Sequence, residues 1–463
     1  MDHAPVLTAD ADGVPTPQRY WAILTIGLGL MLAVLDGAIA NVALPTIARD
    51  VHASPADSIW VVNAYQLTVT ISLLPLASLG DILGYRRVYQ VGLAVFTIAS
   101  LACALSDSLI TLTFARVIQG LGAAGIMSVN GALIRFIYPR RWLGRGVGIN
   151  ATVGSVSSAL GPTVAAAILS VAPWPWLFAV NVPIGLAAAI IALRTLPATP
   201  QSGQRFDFAS AAMTAATFAL VIIAIDGLGH GEKFLLVGLE GLAGLGIGAW
   251  CVMRQMSEPS PLLPVDLMRN PLFALSVATS ICSFTAQGLA LVSLPFLFED
   301  TLGRGQVMTG LLLTPWPLTV AVIATLVGRM SDRYPAGILG GIGLAVMATG
   351  LALLALMPAH PSTGDIVWRM TICGLGFGVF NTPNNRAIIT TAPRSRSGGA
   401  SGMQATARLL GQTIGAALVA LIFGLFPTHG TELTLTVAAF IAGAAALVSL
   451  TRMLDRGAVI SQE

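Results

Sequence analysis

The sequence predicts an all-α, polytopic membrane protein with two six-helix bundles and an inserted helical hairpin. Three observations lead there. Of the 463 residues, 55% are hydrophobic and only 10% charged, against about 25% charge in a soluble domain. Apolar runs of about 20 residues, the length that crosses a bilayer, recur along the whole chain. Finally, the two ends of the chain carry the same features in the same order.

In chain order, residues 1–19 read as a polar tail. It lacks a basic segment followed by a short apolar core, so no cleaved signal peptide is expected. Runs bounded by Pro, Gly and charge give spans near 20–44, 57–78, 88–106, 110–134, 146–170 and 176–193, the first bundle within 20–194. Spans near 208–226 and 234–253 form the inserted hairpin within 195–270. Spans near 272–297, 308–327, 337–357, 366–389, 401–426 and 433–451 form the second bundle within 271–452, and 453–463 is a second tail. Fourteen spans put both termini on one side.

Under this count one side holds the arginines of both tails and most loops, including Arg19, Arg86, Arg87, Arg194, Arg254, Arg333 and Arg452. The other holds Arg49, Lys233 and Arg304. Positive charge stays in the cytoplasm, so both termini are expected there, in a bacterial inner membrane. The net charge of +3 is thus a matter of topology and implies no nucleic-acid partner. Trp21, Trp142, Trp174, Trp176, Trp250 and Trp368 fall near span ends, as interfacial anchors do. Cys103, Cys251, Cys282 and Cys373 lie in apolar runs without metal or redox spacing and read as packing residues.

The repeat is visible in three places. DGAIANVALPTIARD at 36–50 parallels AQGLALVSLPFLFED at 286–300, an offset of 300 − 50 = 250. GDILGYRR at 80–87 parallels GRMSDRYP at 328–335, placing Asp81 opposite Asp332. RVIQGLG parallels RMTICGLG, placing Arg116 opposite Arg369 at 369 − 116 = 253. Duplicated bundles that rock about a central cavity are a transporter architecture.

Four motifs resemble the major facilitator superfamily, and within it the fourteen-span drug:proton antiporters. They are LDGAIANVALP in span 1, LGDILGYRR after span 2, RVIQGLGAAG in span 4, and GSVSSALGPTVAAAI followed by WPWLFAVNVPIG in spans 5 and 6. The chain departs from the pattern at Ala77 and Ile82 in the gate motif and at Ala165 and Ala166 in span 5. The resemblance implies alternating-access export of small amphipathic compounds by a monomer, driven by protons, with no cofactor. It assigns an antiporter motif to Gly154, Gly161 and Pro162 and a cytoplasmic gate to Asp81, Gly84, Arg86 and Arg87, with Asp332 and Arg333 as counterparts. Topology-setting charge is the plainer reading of that loop.

Proton coupling needs an embedded group that titrates. The five histidines all fall in the tail or in loops, which leaves Asp36, Glu240 and Asp226. Asp36 stands about eight residues, roughly 12 Å, from the predicted outer end of span 1, and Arg116 roughly 9 Å inside span 4. Spans 1 and 4 share a bundle in the resembled fold, so the two can pair, for coupling or as a structural ion pair. Opposite Asp36 in the second half stand Ala286 and Gln287, so coupling is expected to be asymmetric. Arg369 is expected to pair with Asp365 one turn away. Glu240 reads rather as a carboxylate satisfied locally or facing a polar pocket at the hairpin. Arg408 suits substrate contact or capping.

Asn41, Trp60, Asn63, Tyr65, Gln66, Gln287, Trp316 and Asn381 are candidates to line the cavity, and packing against neighbouring helices is the alternative. Pro75 and Pro317 are expected to kink their helices. The sole lysine, Lys233 in GEKF, cannot belong to a phosphate loop. Export or facilitated movement of a specific metabolite is the runner-up function. With Asp36 as the one acid assigned to the cavity, monovalent or neutral ligands are expected to be preferred over dications.

Overall fold

A computed structural model of the chain describes residues 13–139, 142–199, 201, 206–229, 233–256, 267–331, 333–392, 397–426 and 428–452. Its elements are helices. In the first half they are α1 (Gln18–Asp50), α2 (Pro55–Ser58), α3 (Trp60–Leu83), α4 (Tyr85–Ala104), α5 (Leu109–Ile137), α6 (Leu143–Leu169), α7 (Trp176–Ala179) and α8 (Asn181–Thr195). Then come α9 (Phe208–Gly229) and α10 (Phe234–Gln255). The second half has α11 (Pro271–Phe296), α12 (Gln306–Leu313), α13 (Pro315–Met330), α14 (Ala336–Ala355), α15 (Thr363–Thr391), α16 (Ser397–Leu425) and α17 (Gly430–Thr451). A π-turn, Leu297–Thr301, continues α11.

Thirteen stretches among the described residues are long and apolar enough to cross a membrane. The predicted span at 366–389 is a helix too, α15, but Asn381, Asn384, Asn385 and Arg386 make it more polar than the others. Two boundaries differ from expectation. Helix α1 runs through Pro45 to Asp50, so Asp36 lies 14 residues, roughly 21 Å, from its end. The predicted span 308–327 is two helices that break at Thr314, ahead of Pro315 rather than at Pro317. Pro75 sits inside the continuous helix α3.

The chain forms two compact units. The first holds residues up to Ala40 and Trp60–Ala215, and the second holds Asn41–Ile59 and Ala216–Glu463. Helix α1 thus belongs to the first unit up to Ala40 and to the second beyond it. In the first unit α4 and α5 cross at Gly92, Gly122 and Gly125, where a Cβ on Gly122 would fall less than 3 Å from Phe96 N and Gly92 O. In the second, α14 and α15 cross the same way, Gly376 against Met347 N and Gly343 O. Without water to drive helices together, such close backbone approach carries much of the association. Gly122→Val should therefore cost about 1–3 kcal/mol or more through overpacking, read as a lower melting temperature of the purified protein in detergent.

These crossings preserve the repeat and correct one detail of it. Gly120 packs on Tyr65 O and Gly374 on Trp316 O, an offset of 374 − 120 = 254. At that register Arg116 stands opposite the buried Met370, not Arg369. One additional residue before GLG in the second half turns Arg369 about 100° around its helix. There it pairs with Asp365 at 3.1 Å, as the i,i+4 spacing predicts, and lies 4.5 Å from the Trp368 ring.

Five of the six predicted interfacial tryptophans are at least partly exposed, but Trp174 is buried and packs edge-on against Phe178. Arg452, placed by its sequence among the topology-setting charges, is also buried. Its guanidinium donates to Asn384 Oδ1 at 2.7 Å and Leu275 O at 3.1 Å, tying α17 to α15 and α11. Burial pushes its pKa down to about 10.

Candidate functional site

Within the first unit, α1, α4, α5 and α8 each bring a polar side chain to one buried point. Asp36 from α1 is 1% exposed and Arg116 from α5 is fully buried. Arg116 Nη1 donates to Asp36 Oδ2, so the pair suggested by the two motifs is formed. The other oxygen, Oδ1, accepts from Gln119 Nε2 at 2.9 Å and from Asn181 Nδ2 at 2.8 Å. The carboxylate thus accepts from one cationic and two neutral donors.

Arg116 is held from three sides. Nε donates to Val61 O at 2.9 Å and Nη1 also to Gln119 Oε1 at 2.6 Å. Its Nη2 has no hydrogen-bond partner. The guanidinium instead lies 4.1 Å from the Tyr65 ring centre and 5.4 Å from that of Phe178, a cation–π arrangement worth more in a dry site. Tyr65 is itself fixed, donating from its hydroxyl to Ala33 O at 2.7 Å. Gln119 extends the network to Ser100 Oγ at 2.9 Å and receives the Cys103 thiol at 3.5 Å.

The motif in span 5 bears directly on this point. A Cβ on Gly161 would collide with the Ala38 side chain, two residues beyond Asp36. The glycine beside Pro162 therefore lets α6 lie directly against α1 next to the acid. Gly154, two turns earlier, faces Leu30 with room to spare.

At the gate motif, Gly84 adopts φ +92° between α3 and α4, a conformation glycine enters at little cost. Asp81 accepts from the Tyr85 hydroxyl and Arg86 donates to Leu193 O at the end of α8, at 2.7 Å. Tyr85 N donates to Thr199 Oγ1 at 2.9 Å. Arg87 and Arg333 are exposed, and Asp332 lies outside the described residues. The loop is thus a local brace of α3, α4 and α8.

Of the cavity candidates, Asn63 and Gln66 in the first unit are buried, and their side-chain carbonyl oxygens have no partner. Asn381 Oδ1 and Trp316 Nε1 are in the same condition in the second. Gln287 is buried, whereas Asn41, Trp60 and Arg408 are partly exposed. Glu240 has a buried Oε2 without a partner. Asp226 belongs to α9, and its side chain lies outside the described residues.

Two participants escaped the sequence analysis, Gln119 and Asn181. Gln119 is one turn from Arg116 and so on the same face, which was a usable signal. Asn181 is an amide inside an apolar run. In the second unit the ion pair Arg49–Glu299 was also unforeseen, since both residues were assigned to loops.

The sequence model of the Major Facilitator Superfamily matches residues 26–416. The chain belongs to that superfamily. It is 58% identical over 445 residues to the uncharacterised transporter YebQ of Escherichia coli (strain K12), covering 96% of this chain and 97% of that one. It is 28% identical over 90% of each chain to the riboflavin transporter RibZ of Clostridioides difficile (strain 630). Identity to the multidrug resistance protein Stp of Mycobacterium tuberculosis (strain CDC 1551 / Oshkosh) is 32%, over 86% of this chain and 74% of that one. Among solved structures, a POT family transporter in complex with a thioalcohol-conjugated peptide superposes with a TM-score of 0.72 at 12% identity, over 94% and 96% of the two chains. The protein is a multi-pass membrane transporter of the major facilitator fold and not an enzyme.

Proposed function

We propose that the chain is a proton-coupled exporter of small amphipathic compounds, of the fourteen-span drug:proton antiporter branch. It works as a monomer in a bacterial inner membrane with both termini in the cytoplasm. The observation that carries this reading is Asp36, a buried carboxylate whose charge is held by one arginine and two amides beside the Gly161 contact. Proton uptake on Asp36 cancels the charge that retains Arg116 and frees the guanidinium to repack, which links protonation to a change of shape. Asp81, braced by Tyr85, is the gate member that favours one of the two states.

The likeness to Stp favours an exporter of drugs, and the likeness to RibZ favours the second reading, movement of one specific metabolite such as a flavin. Proteoliposomes with an imposed pH gradient separate them when offered dyes, a monovalent quaternary ammonium compound, its bis-quaternary analogue and riboflavin. Several unrelated amphiphiles should move, the monovalent compound faster than the dication, because each buried acid identified as ion-paired already faces an arginine. Uptake of riboflavin alone would establish the metabolite reading.

A further inference from the structure

We infer that Glu299 is a second proton-exchanging carboxylate of the cycle, taking up a proton from the outer side when Arg49 lets go of it. The inference rests on the proton-coupled reading above. Arg49 Nη2 meets Glu299 Oε2 at 2.5 Å, and Thr46 Oγ1 donates to the same oxygen at 3.3 Å. Both α1 residues lie in the part of the helix that belongs to the second unit. The two sides of the pair are unlike. The Glu299 side chain is 2% exposed and that of Arg49 is 57% exposed. Glu299 Oε1 is buried with no hydrogen-bond partner.

This asymmetry determines what happens when the pair parts. Arg49 can swing into water without any movement of Glu299. The carboxylate left behind has lost its counter-charge in a desolvated place, and such a group neutralises by binding a proton. One proton from outer water becomes bound to a carboxylate oxygen, and no other bond changes. Arg49 is the opposing charge on α1, with Asp50 next to it at the helix end. Asp300, adjacent in the chain, repels. Helices α11 and α12, packed on the π-turn, contribute no charged residue. The clasped state therefore binds fewer protons than the released one, and acid on the outer side favours release.

The repeat explains why the clasp falls here. Arg49 and Glu299 stand 250 residues apart, the offset that also aligns Ala38 with Gly288. Those two make equivalent contacts, Ala38 with Gly161 and Gly288 with Gln412. Duplicated helix ends have diverged into a base and an acid at the same position.

The test introduces Ala43→Cys, a fully buried position on the outer part of α1. It measures labelling by a membrane-impermeant maleimide on intact cells, normalised at each pH to the unfolded protein, with the parent as blank. Labelling should rise several-fold as external pH falls from about 7.5 to about 5.5. In Glu299→Gln it should be high at both values, and in Arg49→Glu/Glu299→Arg it should return to the low neutral-pH level, which shows that the chain still folds. A pH-dependent rise surviving in Glu299→Gln would overturn the inference. So would low labelling of that variant at neutral pH, or of every variant at every pH. The assay contains no substrate, so its result stands apart from the transport assays that decide the exporter reading.

Discussion

Asp36→Asn is expected to reduce substrate movement driven by a pH gradient to the level of protein-free vesicles, while exchange of substrate for substrate continues. An amide at this depth cannot carry a proton, so the two fluxes come apart. The neighbourhood predicts a modest structural cost as well. Gln119 and Asn181 can still donate to the amide oxygen, but the new NH2 faces Arg116 Nη1, and an unmet donor pair costs roughly 1–3 kcal/mol. Transport at the unmutated rate under a pH gradient alone would remove Asp36 from the coupling role.

Arg116→Leu is expected to have the largest effect on folding. It leaves Asp36 ionisable, buried and without its counter-charge, a change that costs about 3–5 kcal/mol when one partner of a buried pair is removed. The Val61 carbonyl and Gln119 Oε1 lose a donor at the same time. The double variant Asp36→Leu/Arg116→Leu should recover much of the thermal stability in detergent and none of the transport. Melting curves of the two single variants and the double one form a cycle whose coupling term isolates the pair. A coupling term near zero would mean that the two charges act independently.

How much was legible in the sequence follows from the range of each interaction. Span positions were legible because bilayer thickness sets a length that shows directly in hydropathy. The Arg369–Asp365 pair was legible because four residues on one helix are neighbours. Asp36 and Arg116 stood out as charges within apolar runs, and their pairing came from the resemblance. Gln119 was one turn from Arg116 and was overlooked. Asn181 meets Asp36 from 145 residues away, and no local pattern signals such a convergence.

The remaining misses have local causes. Pro45 looks like the end of span 1 in the sequence, yet a proline inside a membrane helix is tolerated when neighbouring groups satisfy the freed carbonyl. Extending α1 to Asp50 brings Arg49 out of a loop and onto the helix. The π-turn likewise carries α11 past Phe296 and places Glu299 in a buried position. Trp174 and Arg452 were read by residue type and distance from a span end, and neither criterion reports packing.

If protonation of Asp36 drives the change of shape, a bound substrate should displace a proton from the protein. Purified protein in weakly buffered detergent solution, with a pH-sensitive dye, tests it without any membrane gradient. Addition of a transported cation should release protons from the unmutated protein and should release far fewer from Asp36→Asn that still binds the compound. Equal proton release from both proteins, with equal binding, would show that the exchanged proton is not carried by Asp36.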